Sequence, residues 1–70
     1  MSELDAEIIL ALADNNMNRL KTARALYMHR NNIIYHIRKV QRVTGLDPTN
    51  FYDLCKLVQM IKEGREGNEC

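Results

Sequence analysis

Seventy residues with ten Lys or Arg and nine Asp or Glu, 46% hydrophobic and 27% charged, make one small domain with a compact core. That size leaves little room for a catalytic cleft with its own substrate pocket, and the apolar content is too high for a disordered segment. The net charge of +1 hides a segregation: residues 1–14 carry four acids and no base, residues 15–46 seven bases and no acid, and residues 47–70 five acids and three bases.

In chain order, Ser2 to Asp14 reads as a first helix. Ser2 with Asp5 three residues on is a capping-box pattern, and Glu3, Asp5 and Glu7 suit the positive end of the helix dipole. Leu4, Ile8, Ala11 and Leu12 share one face, which Ile9 and Leu10 widen. The segment "DNNMN", Asp14 to Asn18, ends this helix, because Asn competes with helical backbone bonds. Asn18 then caps a second helix, about 19–26, with Leu20, Ala23, Leu26 and Tyr27 on its inner side. The turn is placed at Tyr27-Met28-His29, although no Gly or Pro marks it and periodicity alone permits one unbroken helix.

A third helix, about 30–44, carries a stripe of Ile33, Ile37, Val40 and Thr44. Asn31, Tyr35, Arg38 and Arg42 occupy the opposite wedge. Gly45 closes the helix, and Pro48 keeps Asp47 out of the helical conformation. Asn50 and Asp53 suggest a second capping box, opening a fourth helix, about 50–63, with Phe51, Leu54, Cys55, Val58 and Ile61 on its inner side. The expectation is an all-α fold of four short helices, one domain over residues 1–63 and a frayed tail over 64–70. Cys55 reads as a reduced core thiol and Cys70 as terminal, with no disulfide framework or zinc spacing. No apolar run is long enough for a membrane span, and the expected compartment is a reducing cytoplasm.

Two short helices joined by a turn, the second with a basic outer face, suit a reader of the DNA major groove. Arg30, Asn31, Asn32 and Tyr35 stand at the start of that second helix. Arg offers two donors to guanine, and Asn a donor and an acceptor to adenine. Ile34 suits a thymine methyl, or packing under the fourth helix. Asn18, Arg19 and Lys21 at the preceding helix start suit one phosphate. His29, at or next to the helix cap, suits either a phosphate or a hydrogen bond to the helix end, and Arg38, Lys39 and Arg42, further along, are better placed for phosphates than for bases. His36 is expected either near a phosphate or as a solvated surface histidine.

"TARALYMHRNNIIYHIRKVQRVTGLD", Thr22 to Asp47, resembles the C-terminal helix-turn-helix of PucR-type (purine catabolism and sugar-diacid) regulators, itself similar to the Fis DNA-binding fold. The resemblance rests on Thr22, Ala23, Leu26, His29, Arg30, Asn31, Tyr35 and the closing Thr44-Gly45-Leu46-Asp47. It implies the double-stranded-DNA-binding domain of a bacterial transcription regulator, acting at the nucleoid, in a family that usually carries a sensory region N-terminal to it. The chain departs from the family at Asn32, Ile34 and His36, and at Met17, where Gly is common, and Leu20, where Ser or Thr is common.

Two other readings stand beside DNA binding. One is a helical protein-interaction module using the basic face and the apolar faces of the first and fourth helices, surfaces equally available for a homodimer. An enzyme is the weakest reading: His29 and His36 have no carboxylate between Asn15 and Leu46, so no acid–base pair or metal cluster assembles locally. No cofactor and no small-molecule ligand is expected in this domain.

Overall fold

A computed structural model describes residues 1–64; Cys70 and all of the expected frayed tail except Gly64 lie outside them. Helix α1 runs Glu3–Asp14, α2 Arg19–Ala25, α3 Arg30–Thr44 and α4 Phe51–Gly64. The four expected helices are present, α2 one residue shorter at its C-terminal end and α4 starting and ending one residue later than expected.

Helix α1 is the hub. It packs against α2, α3 and α4, whereas α3 meets α1 and α2 but not α4. Its start is a complete capping box: Ser2 Oγ accepts from the Asp5 N–H at 3.1 Å, and Asp5 Oδ2 accepts from the Ser2 N–H at 3.1 Å. Ile8, Ile9 and Leu12 of α1 meet Ala23, then Ile33, Ile37 and Val40, then Leu54, Leu57 and Ile61 in one core. Leu4, expected on the inner face, lies at its edge and is exposed.

Both early turns end their helices in the same way. In a Schellman motif the residue after the C-cap turns left-handed, and its own N–H and that of the next residue return to carbonyls of the last helical turn. After α1, Asn16 has φ 57°, its N–H reaches Ala13 O, and the Met17 N–H reaches Leu12 O at 2.8 Å. After α2, Tyr27 has φ 55°, its N–H reaches Arg24 O, and the Met28 N–H reaches Ala23 O at 2.8 Å. Tyr27 thus does the turning that a glycine usually does, which is why composition gives no stop signal there. It points outward, 96% exposed, instead of lining the inner side of α2. Leu20 is exposed as well, and the buried α2 positions are Thr22 and Ala23. Thr22 tolerates burial because its hydroxyl donates to Asn18 O at 2.8 Å.

Thr44 to Asp47 builds the corner between α3 and α4. Gly45 takes φ 78°, and the Leu46 N–H donates to Thr44 Oγ1. Asp47 Oδ1 accepts from the Thr49 N–H and hydroxyl, and those bonds, the hydroxyl's first, hold its carboxyl below the usual range. The expected Asn50–Asp53 box forms only halfway. Asn50 Oδ1 caps the Asp53 N–H, but Asp53 Oδ2 takes the Asp47 N–H at 3.0 Å and so braces the corner. Helix α4 packs on α1 alone, so a narrow stripe suffices. Cys55 and Phe51, expected inside, fall off that stripe and are exposed.

Candidate nucleic-acid interface

The start of α3 is fixed by a histidine. His29 Nδ1 accepts from the Asn31 N–H at 3.0 Å, the part usually played by Ser, Asp or Asn. Its neutral ring therefore carries the proton on Nε2, a donor on an exposed side chain. Arg30, Asn31 and Asn32 are exposed in the first turn, and Tyr35, 59% exposed, follows on the same outer side. The buried Ile33, Ile37 and Val40 determine this orientation, since they anchor the opposite side of α3 to α1 and α2.

The start of α2 stands beside that turn. Met17, Asn18, Arg19 and Leu20 share a concavity with Arg30 and Ile34. Two guanidinium groups thus border a patch of Met17, Leu20 and half-buried Ile34. Ile34 consequently faces the beginning of α2 and not α4, from which α3 is separated. Asn18 is partly committed: its Oδ1 caps the Lys21 N–H at 2.9 Å. Met17 and Leu20, noted in the sequence only as unusual residues, contribute the apolar side of this concavity.

The basic residues divide into two groups. Among the described residues, no carboxylate lies within salt-bridge distance of Arg19, Lys21, Arg24, Arg30, Arg38 or Arg42. His36 and Lys39 are engaged elsewhere. His36 Nδ1 donates to Asp5 Oδ1 at 2.7 Å, with the His36 side chain only 16% exposed. Lys39 Nζ reaches Asp5 Oδ2 at 3.3 Å. The expected solvated or phosphate-facing His36 is thus replaced by an inter-helix bond, and the Tyr35 ring packs edge-on against His36 with centroids 5.2 Å apart. Burial would raise the Asp5 carboxyl, but the bonds from His36, Ser2 and Lys39 outweigh it and lower the pKa to about 2. A signal for this contact existed in the sequence. At about 100° per residue His36 lies roughly 60° from Ile33, on the margin of the buried stripe.

Among the described residues no three His, Cys, Asp or Glu are grouped to hold a metal ion, and no helix is long and apolar enough to cross a membrane.

The family model described as the PucR C-terminal helix-turn-helix domain matches residues 6–62. The carbohydrate diacid regulator of Escherichia coli (strain K12) is 41% identical over 39 residues, which cover 56% of this chain and 10% of that relative. The chain therefore matches only a small part of the relative's length. No solved structure matches significantly.

Proposed function

We propose, because this chain belongs to the PucR C-terminal helix-turn-helix family, that it binds specific double-stranded DNA sequences for a transcription regulator, with α3 in the major groove. The observation that carries this reading is the exposed first turn of α3. Arg30, Asn31 and Asn32 stand there with Tyr35, beside cations that no described carboxylate neutralises. The groove, about 12 Å wide, admits one helix, and these side-chain types match guanine and adenine edges. Ile34, at the rim of the concavity, suits a thymine methyl. Asn18, Arg19 and Lys21 at the start of α2, the His29 Nε2–H, and Arg38 and Arg42 further along α3 suit phosphates.

Selection of bound sequences from random DNA tests the specificity. A salt titration tests the mechanism. Contact with about four to six phosphates gives a log–log slope of about −0.9 for each. Affinity that did not change with salt would sink the reading.

A self-associating surface is a second reading, favoured by one observation. The start of α4 exposes Phe51 and Tyr52, whose rings meet edge to face at 5.4 Å. A second copy, or another protein, would cover apolar area there. Sedimentation that returns a monomer at high concentration would reject the homodimer.

A further inference from the structure

Asp5 is the one buried charged side chain among the described residues, 1% exposed. Capping α1 needs only its bond to Ser2, which an exposed acid makes equally well. Burying a carboxylate is costly unless it is paired. Both of its partners beyond Ser2 come from α3: His36 at 2.7 Å and Lys39 at 3.3 Å. Neighbouring Arg38 and Arg42 remain exposed with no described carboxylate in reach.

We propose that Asp5 is a specificity-determining positioning residue of the DNA-binding surface: by holding His36 and Lys39 against α1, it withholds Lys39 from phosphate. The inference rests on the DNA-binding reading. Phosphate contacts carry non-specific affinity, whereas base contacts carry discrimination. Each cation kept off the backbone therefore lowers binding to every sequence while leaving Arg30, Asn31 and Asn32 aimed at base edges. Asp5 thus opposes promiscuous binding by holding one cation away from the DNA backbone.

The test compares the unmodified chain, Asp5→Asn, Lys39→Met and the double variant. Each is measured with a selected site and with random DNA over a range of salt, well below its melting temperature. Lys39→Met keeps the aliphatic stem and leaves Asp5 its bonds to His36 and Ser2, and the melting temperature of each variant shows that it is folded. The expected results are an unchanged salt slope for Lys39→Met and a slope steeper by about 0.9 for Asp5→Asn. Random-DNA affinity should rise several-fold in Asp5→Asn, narrowing the specificity ratio, and the double variant should return to the original slope. A purely structural role for Asp5 would lower the melting temperature without moving the slope. That outcome, or a slope about 0.9 shallower for Lys39→Met alone, overturns the inference. Salt-independent binding by the unmodified chain would instead overturn the DNA-binding reading itself, and this inference with it.

Discussion

Asp5 Oδ1 and His36 Nδ1 meet at 2.7 Å across 31 residues of chain, tying the first turn of α1 to the middle of α3. The bond has a consequence for acid stability. The Asp5 carboxyl titrates at about 2 in the folded protein, against 3.8 for its ordinary value. A depressed carboxyl contributes stability that is fully present above the ordinary value and is lost as pH falls through the folded one. Unfolding followed by urea titration should therefore lose roughly 2 kcal/mol between about pH 4 and pH 2 from this group. Asp5→Ala should remove most of that dependence and cost about 3 kcal/mol at neutral pH, because it deletes the cap and leaves Lys39 and His36 without their partner.

Arg30 and Arg42 should fail in different ways. Arg30→Ala should cost about 1–3 kcal/mol on the selected site and relax the preference at one base position. Arg42→Ala should weaken all sequences alike and make the salt slope shallower by about 0.9. Binding isotherms on a panel of single-base variants distinguish the two patterns.

His29→Ala should cost about 1 kcal/mol through loss of the α3 cap, and His29→Asn should restore most of it, since Asn also accepts from the second or third N–H of a helix. Thermal unfolding measures the stability. If the Nε2–H also meets a phosphate, His29→Asn should remain weaker on DNA despite its recovered stability.

Tyr27 holds φ 55° while 96% exposed, so its ring has little packing to lose. Tyr27→Gly should raise stability by about 0.5–1 kcal/mol, the relief of a bulky side chain in left-handed backbone exceeding the added freedom of the unfolded chain. A lowered melting temperature for this variant would contradict that balance.

Ile33 is fully buried where α1, α2 and α3 meet. Ile33→Ala should cost about 2–5 kcal/mol in denaturant unfolding, since the three helices can close the resulting cavity only in part.

Much of this was legible along the chain. The caps at Ser2 and Asn18, the stripe of Ile33, Ile37 and Val40, and Gly45 act locally, and each was found where its spacing placed it. Local rules reached less far for α4. Periodicity marked Phe51 and Cys55 as inner residues, but the width of a buried face depends on how many neighbours a helix has, and α4 has one. Asp53 similarly obeyed a capping rule in spacing, and was then claimed by the Asp47 N–H across the corner.

The sequence by itself determined the helical segments, the caps at Ser2 and Asn18, and a basic stretch between acidic flanks, because these depend on residues within a few positions of one another. Tertiary structure alone decided which cations remain free. Lys39 and Arg38 are adjacent in sequence, yet one is engaged by a buried carboxylate and the other is open to solvent. That division follows from where α1 crosses α3, a relationship between residues more than thirty apart that no local periodicity encodes.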